Sequence, residues 1–190
     1  YGGVLQGLPY YLKIPENVND TTMITEYWTA AAGANPLDPS STTISKFNPF
    51  PVAKDPENPT VNVPILMAVS LDAQGAPIVG GPLVIAGHGL FGNRTTLLAL
   101  AEKWVAAGAT VVSIDAPIHG IAAPEIDFAN VTPEELAQII AETPTALFRV
   151  PGVPERTFDV DLITGSSPGT PPDGEIDPSG AHWINVGSPL

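Results

Sequence analysis

The chain has 190 residues, enough for one domain with a real hydrophobic core. Its 20 acidic and 7 basic side chains leave a net charge of −13, which argues against electrostatic binding to nucleic acid or to an anionic membrane. It has no cysteine, which excludes disulfides, thiolate metal sites and a cysteine nucleophile, and no apolar run approaches the ~20 residues of a membrane helix.

Hydrophobic residues make up 44% of the chain, too many for a disordered one, while 22 prolines and 18 glycines predict long irregular segments. There is no signal peptide and no initiating methionine, so a mature, processed or excised piece is expected. Residues 1–60 read as an extended N-terminal wrap. Val4 to Ile14 has strand character broken by Gly7 and Pro9, as at a sheet edge. Glu26 to Ala32 reads as a short helical or irregular patch, and the six prolines from Asn35 to Pro59 as loop. The aromatics Tyr10, Tyr11, Tyr27, Trp28, Phe47 and Phe50 suit either loop anchors or the lining of an apolar groove.

Residues 61–120 read as a core sheet with a βαβ unit. Val61 to Leu71 is a strand containing Pro64, and Asp72-Ala73-Gln74-Gly75 turns it back toward Ile78 and Val79. Leu83 to Ala86 is wholly apolar, as a strand covered on both faces requires. Gly87-His88-Gly89-Leu90-Phe91-Gly92 follows, three glycines in six residues, a turn that brings backbone close to a ligand. It lacks the Gly-Lys-Ser/Thr of a phosphate loop and does not fit the dinucleotide glycines. From Thr95 to Ala107, Leu97, Leu98, Leu100, Ala101, Trp104 and Val105 mark one helical face, and Gly108 stands past the helix end. Thr110 to Ile114 is a second β-branched strand, closed by Asp115-Ala116-Pro117-Ile118-His119-Gly120. Strand, crossover helix and parallel strand form a right-handed unit.

Residues 121–181 form an excursion of about 60 residues, far beyond an ordinary connection. Thr132-Pro133-Glu134-Glu135 opens a helix: Thr132 is the N-cap, Pro133 takes the first position and Glu135 completes a capping box. Leu136, Ile139 and Ile140 form its buried stripe, and Pro144 ends it. Thr157 to Ile163 alternates like a half-exposed strand, and Gly165 to Gly180 is loop. Asp159, Asp161, Asp173, Glu175 and Asp177 supply oxygen ligands suited to Ca²⁺, but not at EF-hand spacing, so an acidic solvated loop is the simpler reading. The three histidines form no zinc motif, and neither metal nor cofactor is expected.

The unit at 82–120 resembles the first half of an α/β-hydrolase, and more narrowly the bacterial extracellular, virulence-factor-type lipases. The residues that carry the resemblance are the apolar strand into His88-Gly89-Leu90, Asn93-Arg94-Thr95, and Ile114 through Gly120. Gly7-Leu8-Pro9-Tyr10-Tyr11-Leu12 and Asp177-Pro178-Ser179-Gly180 match as well. The resemblance implies a partial α/β-hydrolase fold with a lid-like insertion at 121–181. It implies an extracellular or bacterial cell-surface protein and hydrolysis of carboxylic esters, among them acyl lipids, through a serine acyl-enzyme. The backbone N–H of Leu90 is then the oxyanion-hole donor contributed by the turn after the strand, with Phe91 as the alternative donor and a substrate contact. Gly89 and His88 support that turn, and His119 and His182 are structural.

Gly165-Ser166-Ser167-Pro168-Gly169 matches the nucleophile pattern by letter, yet Thr170-Pro171-Pro172 follows where an elbow leads into a helix, which argues against Ser167. In the family, the elbow, the acid and the catalytic histidine lie beyond the segment matching residues 182–190. That segment reads as a lead into a C-terminal catalytic half, in the same precursor or a second chain. The competing expectation is a secreted, non-catalytic binding module built on half of a hydrolase fold.

Overall fold

The computed structural model describes residues 1–162, 173–178 and 180–181. It is a mixed α/β fold around a four-stranded mixed sheet with few helices. In chain order the elements are β1 (Gly2–Pro9), α1 (Thr22–Thr25), β2 (Thr29–Ala30), β3 (Pro51–Val52), β4 (Thr60–Ala68), β5 (Leu83–Ala86), α2 (Leu97–Ala106), β6 (Thr110–Ile114) and α3 (Pro133–Glu142). Short 3₁₀ turns cover Arg94–Thr96 and Pro144–Phe148.

The sheet order is β1-β4-β6-β5. β1 is antiparallel to β4, β4 is antiparallel to β6, and β6 is parallel to β5, with Val84 opposite Val111 and Ala86 opposite Ser113. Pro64 is tolerated because the β4–β6 ladder begins only at Ile65, so at Pro64 the strand has a neighbour on the β1 side alone. On β1 the register slips between Leu5 and Leu8, where Gly7 takes a left-handed φ of 69° and donates its N–H to Asn62 Oδ1. Within residues 1–60, therefore, the first strand belongs to the main sheet.

α2 lies on one face of the sheet. Leu97 and Ala101 are buried against Leu66 and Val111, with Val84, Ala86, Val105 and Phe148 around them. Burying a side chain of leucine or valine size contributes about 1.5–3 kcal/mol. Among the described residues nothing covers the opposite face at β5: Leu83 is 63% exposed and Ile85 74%, so β5 is not covered on both faces as its composition suggested. The expected helical face also splits. Leu98, Leu100 and Trp104 remain exposed on α2, because the sheet offers contact over a narrower arc than the apolar residues span.

Three expectations are corrected further along the chain. Of the two readings of residues 26–32, helical or irregular, the helical one is excluded: α1 ends at Thr25, and the otherwise irregular segment pairs Thr29–Ala30 antiparallel with Pro51–Val52. Residues 157–162 are not a strand. Phe158 and Asp159 adopt left-handed φ of 53° and 51°, and this chain reversal buries Val160 beside Met23 and Ile118. α3 carries the full capping box, but it has no buried residue; Leu136 and Ile139 only partly cover Ile121, Ala123, Ile126 and Ala146. Among the described residues no helix is long and apolar enough to cross a membrane. Ser167, His182 and residues 184–190 lie outside the described residues.

Candidate functional site

β5 and β6 run parallel, so their C-terminal ends open on the same side, where sheets of this kind receive ligands. Two turns of one design stand there. In the first, Gly92 N–H donates to Gly89 C=O at 3.0 Å and Phe91 holds φ 62°. In the second, His119 N–H donates to Ala116 C=O at 3.1 Å and Ile118 holds φ 61°. Left-handed backbone at an aromatic and at a β-branched residue is strained, at a cost of about 1–3 kcal/mol each. Packing compensates at Ile118, whose side chain enters the Met23–Val160 cluster and whose C=O accepts the Gly180 N–H at 2.9 Å. No such burial compensates Phe91, which is 52% exposed.

Each turn carries a histidine. His88 Nδ1–H donates to Gly89 C=O at 2.8 Å, and its Nε2 accepts the Ala116 N–H at 3.0 Å. A ring that donates from Nδ1 and accepts at Nε2 is the neutral tautomer, and it ties the first turn to the end of β6. His119 Nδ1–H donates to Pro117 C=O at 2.9 Å, while its buried Nε2 has no hydrogen-bond partner among the described residues. The two rings lie 4.8 Å apart. Burial lowers the His119 pKa below its ordinary value, opposed by the Pro117 carbonyl.

Leu90 and Phe91 project outward, Leu90 being 67% exposed, and among the described residues neither backbone N–H has a hydrogen-bond partner. Gly92 closes the turn tightly: a Cβ there would lie 3.1 Å from both Gly89 O and His88 Cβ. Asn93 Oδ1 accepts from Thr95 N–H at 2.9 Å and caps the following helical turn.

Behind the turns lies a buried ionic network that holds all three arginines of the chain. Arg94 Nη1 donates to Asp115 Oδ2 at 2.5 Å and to Glu155 Oε2 at 2.6 Å; Nη2 donates to Glu155 Oε1 at 2.7 Å and to Phe148 C=O at 2.9 Å. The Arg94 backbone N–H donates to Asp115 Oδ1. Glu155 also accepts the Ile121 N–H at 3.0 Å. Arg149 bonds Asp159 and the Ala123 carbonyl, and Arg156 donates to the Asp115 carbonyl at 3.1 Å. Burial opposes the Arg94 charge, but Glu155 and Asp115 outweigh it and hold the pKa above its ordinary value. Burial likewise pushes the Asp115 carboxyl up against the pull of Arg94.

Sequence reasoning named Arg94 and Asp115 only as parts of a motif and did not single out Arg149, Glu155 or Arg156. One signal was available: a chain with 20 acidic residues and only three arginines uses each where a planar, permanently charged fork is needed. The acidic stretch is not simply the solvated loop expected of it. Asp161 accepts the N–H groups of Asp173 and Gly174 at 3.1 and 2.8 Å, and Asp177 accepts that of Leu162 at 2.6 Å. These two carboxylates are buried and organise backbone. Among the described residues no three His, Cys, Asp or Glu side chains converge on a metal position.

Of the aromatics near the N-terminus, Tyr10 is buried and packs against Phe158, whereas Tyr27, Trp28, Phe47 and Phe50 are exposed. Comparison of the chain with protein families, curated proteins and solved structures found no match.

Proposed function

We propose that this chain is one half of a carboxylic ester hydrolase of the α/β-hydrolase type, acting on acyl lipids or related apolar esters. Its share of the site is the oxyanion-hole turn. The serine nucleophile, acid and base come from further polypeptide. The reading rests above all on the Leu90 and Phe91 N–H groups, which stand without partners among the described residues, on a strained turn at the C-terminal end of a parallel strand. Strain kept at an exposed turn is the kind of feature that function maintains.

In the reaction, the serine Oγ adds to the ester carbonyl carbon as its proton passes to the base, and the C=O electron pair moves onto oxygen. The Leu90 N–H donates to that oxyanion. Collapse of the intermediate expels the alcohol, protonated by the same base, and water then releases the acid by the same path. Phe91 offers an apolar ring to the acyl chain, and Gly89 and His88 hold the turn. The open edge of β5 supports the further polypeptide. Leu83-Val84-Ile85-Ala86 has no proline, charge or bulge to discourage pairing, and Leu83 and Ile85 are exposed beside it. The same reading goes with an extracellular or bacterial cell-surface location.

Leu90 occupies the second position of the Gly89–Gly92 turn, one that proline favours, so Leu90→Pro removes the donor while keeping the turn. In the assembled enzyme, turnover is expected to fall roughly 10²- to 10³-fold, with Leu90→Ala close to wild type. Wild-type turnover in a folded Leu90→Pro enzyme rejects Leu90 as the donor. A fluorophosphonate probe with intact mass spectrometry tests the division of labour. Label on an associated polypeptide carrying a serine elbow supports it, label on Ser167 overturns it, and no label at all removes the hydrolase reading in favour of a binding module.

A further inference from the structure

We infer that Glu155, acting through Arg94, is a positioning residue for the Leu90 and Phe91 N–H donors; this rests on the ester-hydrolase reading. The donor turn is exposed and strained, and within it Gly89 C=O accepts from both the Gly92 N–H and the His88 ring. It is clamped at two points. On the N-terminal side the His88 ring takes the Ala116 N–H. On the C-terminal side the Arg94 backbone N–H and guanidinium both bond Asp115, at the end of β6. The guanidinium has two further anchors, and both come from the segment after β6: Phe148 C=O and the two oxygens of Glu155. Two parallel bonds from one carboxylate fix the plane of the guanidinium as well as its position.

Glu155 is itself held, by the Ile121 N–H at 3.0 Å, and its backbone C=O accepts the Phe158 N–H at 2.9 Å. A Cβ on Gly120 would come within 3.0 Å of Glu155 Oε2, so the carboxylate sits against bare backbone there and a side chain at 120 would press on it. Gly92 likewise leaves little space for a side chain in the first turn, since a β-carbon there would stand 3.1 Å from Gly89 O and from His88 Cβ. Because Arg94 is held through its backbone N–H as well as its guanidinium, a displacement of the side chain moves the backbone two residues after the turn. The consequence for the long excursion is that two of its residues, Phe148 and Glu155, are tied to Arg94 behind the turn.

The test is Glu155→Gln in the full protein, which keeps shape and one acceptor but loses the charge and half of the bidentate pairing. Misplaced donors are felt in the transition state more than in ground-state binding, so kcat is expected to fall about 10- to 100-fold with KM within about twofold. Backbone ¹⁵N order parameters at Leu90 and Phe91 are expected to drop from about 0.85 to below about 0.6. A folded variant with unchanged kcat, or with both residues still rigid, overturns the inference. If the variant does not fold, the wild-type values decide: rigid N–H vectors at Leu90 and Phe91, despite their exposure, support the clamp, and values below about 0.6 overturn it. A wild-type protein without ester hydrolysis removes the hydrolase reading, while the order parameters still report whether Glu155 holds the turn.

Discussion

Gly180 lies directly against the His119 imidazole: a β-carbon built on it would stand 2.5 Å from Nε2, and its φ is 71°. The contact joins Gly180 to the second turn, along with the Gly180 N–H bond to Ile118 C=O. Gly174 makes the comparison, since its φ is 89° but a β-carbon there meets open space. Gly174→Ala is expected to cost about 1 kcal/mol, the left-handed backbone penalty alone. Gly180→Ala adds a clash with a buried ring and is expected to cost at least about twice as much. Urea denaturation of the two variants checks the order.

His119 predicts acid sensitivity. Its folded pKa lies below the ordinary 6.5, burial being the main cause, with His88 and Arg156 adding to the effect and Asp115 opposing it. Between that lowered value and 6.5 the unfolded chain holds a proton that the folded chain does not. Stability is therefore complete above about 6.5 and declines as pH falls below it. The Asp115 carboxyl works the other way, because its raised pKa lets the folded form take up a proton first, starting from a more acidic ordinary value of 3.8. Thermal melts from about pH 7.5 to 5 should show the decline, and His119→Gln should flatten it.

Tyr10 sets the alkaline limit. Burial raises its phenol to about 12, with Arg156 opposing. The unfolded phenol ionises near 10, so this contribution is whole below 10 and is lost as pH rises through that window toward 12. Spectroscopic titration should find one late-ionising tyrosine that Tyr10→Phe removes.

Arg94→Met leaves Asp115 and Glu155 buried without their shared cation. A loss of about 3–5 kcal/mol is expected in urea denaturation, because removing one member of a buried ion cluster strands the others. Arg94→Lys should recover only part of it, since an ammonium cannot span Asp115, both oxygens of Glu155 and the Phe148 carbonyl.

The β5 edge, unpaired among the described residues, predicts self-association. The isolated 190-residue chain is expected to form concentration-dependent oligomers in sedimentation velocity. Ile85→Lys, on the open face of that edge, should suppress them without lowering the melting temperature, because Ile85 is 74% exposed.

Local signals in the sequence determined local structure. The strand at Leu83–Ala86, the strand at Thr110–Ile114, the helix stop at Gly108 and the capping box of Thr132 and Glu135 all depend on neighbours within a few residues. Their periodicity and capping chemistry are therefore written in the order of the residues. The two glycine-histidine turns were legible for the same reason.

Tertiary structure decided what those elements face. Apolar periodicity cannot tell a covered face from an uncovered one, so Ile85 and Trp104 read as core and stand exposed. Alternation at Phe158, Val160 and Leu162 suggested a strand, yet packing against Met23 and Ile118 favoured a reversal through left-handed backbone. The Arg94–Asp115–Glu155 network joins residues 21 and 61 positions apart. Its charges are stable out of water only when all three meet, and no local pattern in the sequence encodes that meeting.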